Sequence, residues 1–154
     1  MTKSFEEYDC DLERLASNYA RGCQFKHSPP EYRNAGESLY TVPIDNLDKN
    51  KVGEWATRTW FGELKEFGVG TNILTQDIWN LRGKLIGHYT QMVWGETDRI
   101  GCGIHHCRGV QTLVVCHYRK GGNMFGQKIY EIGEPCTKCP YGYICTKDKL
   151  CARR

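Results

Sequence analysis

Apolar side chains recur at helical spacing in two stretches of this chain and at strand spacing in two others. Tyr8, Leu12, Leu15, Ala16, Tyr19 and Cys23 follow the i, i+4, i+7 rhythm of one helix face, so residues 8–23 are predicted helical. Asp9 and Asp11 suit the start of that helix, where carboxylates meet the positive end of the dipole, and Gly22 loosens its end. Pro29 and Pro30 forbid continuation, so residues 24–30 read as a turn with His27 just past the helix. Residues 31–50 read as a loop. Within it Gly36 frees the backbone before Glu37, Leu39 and Tyr40 are expected to be buried, and residues 43–50 are expected to be exposed. A second helix is predicted over 51–67, with Val52, Trp55, Ala56, Thr59, Trp60, Leu64 and Phe67 as its apolar stripe. Glu63 falls inside that stripe, where a carboxylate is costly unless it is paired.

Residues 71–86 hold Ile73, Leu74, Ile78, Trp79 and Leu81 without a clean period, so the element stays open between helix and strand. Then Gly87-His88-Tyr89-Thr90-Gln91-Met92-Val93-Trp94 forms an apolar run that sets His88 near an interior wall. Residues 99–107 and 112–118 read as strands joined by a hairpin at 108–111. Residues 124–132 read as a third strand with Gly126 as a bulge. No internal repeat appears. Helices first and strands afterwards give an α+β class.

A length of 154 residues fits one domain with a small appendage. A net charge of +3 without a basic run excludes a nucleic-acid role. No stretch of about eighteen apolar residues occurs, so the chain does not span a membrane as a helix. Nine cysteines change the picture more. Cys136, Cys139, Cys145 and Cys151 all fall in the last nineteen residues, a density that reads as a disulfide framework built in an oxidising compartment. The competing reading of the tail is a four-cysteine zinc knot. It meets the objection that only Cys136-Thr-Lys-Cys139 has ribbon spacing. Met1–Glu7 has no apolar segment of a signal peptide, so the secretion expected from the cysteines implies processing, truncation or a start further upstream.

Four residues can carry chemistry: His27 after a helix, Glu37 after a glycine, Glu63 on an apolar stripe and His88 in an apolar run. Two imidazoles can ligate zinc, and carboxylates can orient them, add oxygen ligands or act as acid and base. Spacing alone does not bring the four together.

Gly87-His88-Tyr89-Thr90-Gln91-Met92-Val93-Trp94-Gly95-Glu96-Thr97 resembles the first signature of the CAP superfamily, the cysteine-rich secretory, antigen 5 and pathogenesis-related 1 proteins. Val114-Val115-Cys116-His117-Tyr118-Arg119-Lys120-Gly121-Gly122-Asn123 resembles the second, with Lys120 a departure from it. His27-Ser28, Gly36-Glu37 and Trp60-x-x-Glu63-Leu64 also match, although Ser38 stands where the family often has asparagine. Tyr8-Asp9-Cys10, Gly133-Glu134-Pro135-Cys136 and the compact tail look most like the nematode activation-associated secreted, or venom-allergen-like, branch. The resemblance implies a three-layer α–β–α sandwich over 1–132, followed by a cysteine-rich, hinge-like tail over 133–154. It implies that His27, Glu37, Glu63 and His88 line one central cavity that holds zinc in some relatives, with His27 and His88 as the metal ligands. The family's opening helix with its His-Asn-x-x-Arg-like motif has no match here, which implies an N-terminally truncated domain. By the family pattern Cys23 pairs with Cys107 and Cys102 with Cys116. By the hinge pattern of related proteins Cys136 pairs with Cys145 and Cys139 with Cys151. Cys10 is left over, either parted from a lost partner or free to link two chains.

Three functions follow. The first is a secreted, non-enzymatic binding or host-immune-modulating protein whose His/Glu cavity takes a divalent cation, zinc being the candidate cofactor and a host protein or lipid the partner. The second is a zinc hydrolase with His27 and His88 as ligands and Glu37 or Glu63 as base. Against it stand the absence of HExxH and of a third histidine ligand; no Gly-x-Ser-x-Gly supplies a serine nucleophile either. The third is lipid or sterol carriage.

Overall fold

The computed structural model describes residues 3, 4 and 6–154. Its centre is a four-stranded sheet built from β1 (Glu7–Tyr8), β2 (Gly36–Val42), β3 (Arg99–Cys107) and β4 (Gln111–Arg119), in the order β1-β3-β4-β2. The β3–β4 hairpin holds Cys102 opposite Cys116, and β2 runs antiparallel to β4 with Glu37 opposite His117. The stretch read as a loop over 31–50 is therefore corrected. It contains a short helix, α2 (Pro30–Arg33), and the edge strand β2. Ser38 to Val42 is rich in aromatic and β-branched residues, which suit a pleated surface. Its polar start hides the alternation, because Glu37 points into the molecule.

Helices cover both faces. α1 (Cys10–Ala20) opens on Asp9, whose carboxylate accepts from the N–H groups of Asp11 and Leu12 at 2.9 and 3.0 Å. It starts later than the periodicity suggests because Glu7 and Tyr8 pair in parallel with β3. Its Ala16 and Ala20 pack on Leu39, Leu113 and Val115 of the sheet. A Cβ at Gly101 of β3 would lie 2.2 Å from the backbone nitrogen of Glu13, so the absence of a side chain there lets the helix settle on the sheet. On the opposite face α3 (Lys49–Phe67) buries Val52, Ala56 and Trp60 against Val114, Cys116 and Tyr118. The layers are thus α1, sheet, α3.

The open stretch 71–86 and most of the apolar run after it form one helix, α4 (Gln76–Met92), capped by Thr75. Its period is obscured because Gly83 and Gly87 stand on it as the bed on which the Trp79 indole lies. Residues 124–132 do not form the third strand expected of them. Their backbone groups bond to an irregular segment instead, Gly126 N–H to Leu74, Leu74 N–H to Gln127 and Ile129 N–H to Asn72. Gly126 turns the chain at a φ of 79°. Ile129 joins Leu74, Ile86, Tyr89, Val93 and Trp94 in a third apolar cluster.

Disulfides join Cys23 to Cys107, Cys102 to Cys116, Cys136 to Cys145 and Cys139 to Cys151, and Cys10 is free and exposed. The first closes 84 residues of sequence and clamps the end of α1 to the end of β3; such a bridge contributes about 2–4 kcal/mol. The tail folds as a hairpin of β5 (Tyr143–Cys145) and β6 (Cys151–Arg153). It is fastened to the core by Arg153 on Asp98 at 2.8 Å and by the Cys151 N–H on the Lys3 carbonyl at 2.9 Å. Among the described residues no helix is long and apolar enough to cross a membrane.

Candidate functional site

The site is built at the free edge of the sheet, where β2 faces α4. Glu37 is the second residue of β2, and its side chain is fully buried. Oε1 accepts from the His27 Nδ1 at 2.8 Å and from the Ser28 N–H at 2.9 Å; Oε2 accepts from the Ser28 hydroxyl at 2.6 Å and from the His117 Nε2 at 2.9 Å. A carboxylate offers about four acceptor positions, and here all are taken. Burial pushes the Glu37 carboxyl up, but the bonds from His117, His27 and Ser28 outweigh it and hold the group well below the usual carboxylate range. Gly36 matters for close approach: a Cβ there would lie 2.1 Å from the Gln91 side chain of α4.

A second pair faces the first. Glu63, on the buried stripe of α3, receives the His88 Nδ1 at 2.6 Å on one oxygen and the Tyr89 N–H at 2.8 Å on the other. This is how a carboxylate survives on an apolar helix face. The buried Trp60 ties the two halves together. Its indole N–H reaches the Leu39 carbonyl of β2 at 3.2 Å, and its ring stacks on that of His88 with centroids 5.7 Å apart.

Both carboxylates also accept from a main-chain N–H, which can only donate. An ionised carboxylate only accepts, so with both glutamates ionised the histidine Nδ1 is the donor in each pair, and in the neutral imidazole Nε2 then carries the lone pair. His27, Glu37 and His88 line a cavity of about 590 Å³ together with Trp79, Lys84 and Asn123. Glu63 is not on the wall and acts on the cavity through His88. A cleft of about 650 Å³ between core and tail is lined by charged groups that pair with one another, such as Asp98 with Arg153 and Glu131 with Lys138, and contains no histidine. The sulfurs of Cys136, Cys139 and Cys151 lie within 4.8 Å of one another, yet each belongs to a disulfide and is no thiolate ligand. Among the described residues no other three metal-capable groups come that close, so the cavity itself supplies a pair of imidazoles rather than a closed cage.

Sequence reasoning missed two partners here. Ser28 gives Glu37 both of its donors, and His117 sits beneath it, fully buried. The available signal was one imidazole in the otherwise apolar strand Leu113–Tyr118.

Residues 7–118 match the family described as CAP, cysteine-rich secretory protein family. The chain is 43% identical over 148 residues to Ancylostoma secreted protein of Ancylostoma caninum, covering 94% of this chain and 35% of that protein. The crystal structure of Na-ASP-1 superposes with a TM-score of 0.90 at 40% identity, over 97% of this chain and 38% of that one. That of NaASP2 with Zn2+ superposes with a TM-score of 0.88 at 44% identity, over 97% of this chain and 77% of that one. The chain thus spans about a third of the curated relative, 35% of its length.

Proposed function

This chain belongs to the CAP, or cysteine-rich secretory protein, family, in its nematode venom-allergen-like branch, and on that premise we propose that it is a secreted, non-enzymatic binding protein whose cavity takes a divalent cation on the Nε2 atoms of His27 and His88. The observation that carries this reading is the pair of Nδ1–carboxylate bonds, at 2.8 Å for His27 and 2.6 Å for His88. Each fixes a tautomer and aims a basic nitrogen outward, the arrangement by which protein carboxylates support histidine ligands. Imidazole nitrogen suits zinc at about 2.0–2.1 Å. The related NaASP2, whose crystal structure is one with Zn2+, supports the same choice. Two protein ligands leave coordination positions open to an outside group. Lys84 on the cavity wall favours an oxyanion there, such as a carboxylate of a host protein. Four disulfides and a relative named as secreted support an extracellular, host-facing setting for a binding or immune-modulating role.

The hydrolase reading is narrowed by the same geometry. Glu37 has no free lone pair to serve as base, which leaves Glu63, bonded to His88 and the Tyr89 N–H and not among the residues that line the cavity. Lipid carriage is favoured by one separate observation, an apolar trough of about 580 Å³ along α3 lined by Phe61, Leu64 and Met92.

Titration calorimetry tests the cation site. One zinc ion per chain is expected, with the heat abolished in the His27→Ala, His88→Ala double variant. Equal binding by the double variant refutes the site.

A further inference from the structure

We propose that His117 is a positioning residue for the cation site: through Glu37 it locks the tautomer of His27, so that Nε2 rather than Nδ1 offers the lone pair. The inference rests on the two-histidine reading of the cavity.

His117 is 0% exposed and sits on β4 opposite Glu37. Its ring makes a single hydrogen bond, from Nε2 to Glu37 Oε2 at 2.9 Å, and its Nδ1 is buried with no partner. Burying an imidazole nitrogen unpaired costs stability, and an aliphatic side chain would fill the slot in this apolar strand without that cost. What an aliphatic residue cannot supply is the one N–H that reaches Glu37 from beneath.

That donor decides the state of the carboxylate. Three of the four bonds to Glu37 come from groups other than His27: the Ser28 N–H, the Ser28 hydroxyl and the His117 N–H. They hold Glu37 ionised and fixed, with one acceptor position left, and His27 fills it with Nδ1–H. Without His117, Oε2 keeps only a hydroxyl. The carboxylate is then free to turn, and His27, whose ring is 60% exposed, is released to solvent. A released imidazole favours the Nε2–H form in water, which turns its bonding nitrogen away from the cation position. His88 is untouched, since its orientation comes from Glu63.

Three measurements on the disulfide-intact chain decide this. In the wild type without metal, long-range nitrogen–proton NMR correlations should show His27 as the Nδ1–H tautomer and His117 as the Nε2–H tautomer; His117 found as Nδ1–H overturns the proposal with no variant made. In His117→Leu, or His117→Met where the leucine variant does not fold, His27 should drift toward Nε2–H while His88 keeps its pattern. In His117→Gln, which retains an N–H, His27 should stay as in the wild type. Zinc affinity by calorimetry should fall about 10–100-fold in the leucine or methionine variant and recover in the glutamine variant. An unchanged His27 tautomer in the donor-less variant overturns the proposal. A wild type that binds no zinc overturns the cation reading alone, because the tautomer measurement needs no metal.

Discussion

Replacing Glu37 by glutamine tests whether a saturated, buried carboxylate organises this edge of the sheet. The substitution keeps shape and removes charge. Four donors converge on Glu37, at 2.6 to 2.9 Å, whereas an amide offers one oxygen and one NH2 group. The amide oxygen can still serve His27 and the Ser28 N–H. The NH2 then meets the Ser28 hydroxyl, which can turn to accept, and the His117 Nε2–H, which cannot unless its proton moves to the partnerless Nδ1. The loss is one or two charge-assisted bonds plus a buried unsatisfied donor, each about 1.5–3 and 1–3 kcal/mol respectively. We expect a net loss of about 3 kcal/mol at neutral pH, near the lower end for breaking a buried ionic contact. For a domain of this size that lowers Tm by about 6–12 °C. The pH dependence gives an independent check. The folded carboxyl is held below its ordinary value of about 4.3. Its contribution is therefore fully present above that value and is lost as pH falls toward the folded value. The gap between wild type and Glu37→Gln should narrow steadily as pH falls below about 4. Thermal or urea melts across that range, with disulfides intact, measure it. A gap that is absent at pH 7, or that does not narrow in acid, refutes the reasoning.

Protons and zinc compete for the same nitrogens, so zinc affinity should fall as the solution is acidified; calorimetry at pH 7.5 and 5.5 checks this. Trp60→Phe removes the bond to the Leu39 carbonyl and should cost about 1–3 kcal/mol while weakening zinc binding through His88, as melts and titration would show. Gly101→Ala drives a methyl group into the α1 backbone and should cost about 1–3 kcal/mol or more from overpacking; an unchanged melting point would mean that α1 does not sit against β3 as described.

Residues whose pattern and burial agree were legible in advance. Val52, Ala56 and Trp60 marked the buried face of α3, whereas Trp55, Thr59 and Leu64 of the same expected stripe are exposed, and Glu63 marked a carboxylate in need of a partner. The alternation over 99–107 and 112–118 marked the central hairpin. Where a local rule is broken for the sake of the site, the reading failed. β2 was hidden because Glu37 points inward. α4 was hidden because glycines stand where apolar residues would set the period. Residues 124–132 look like a strand but spend their backbone bonds on 72–74. The convergence of His27 with His88 comes from tertiary contacts and was accessible only through family resemblance. His117 was visible as a residue but not as a partner, since only the β2–β4 register places it under Glu37.

The Trp60 and Gln91 contacts across the edge of β2 carry a consequence for the selectivity of the proposed cation site. Each histidine is pinned to its own carboxylate, so neither ring can swing to follow a cation without breaking a hydrogen bond. His88 rides on α4, which meets the sheet edge through the Gln91 side chain against Gly36, and its ring stacks on Trp60, whose indole bonds to the Leu39 carbonyl. At the proposed site, an ion that required His88 to move would have to shift these packed contacts, and close-packed interiors resist such displacement. If a cation binds at the proposed site, its fit is therefore set by core packing as well as by the two imidazoles themselves.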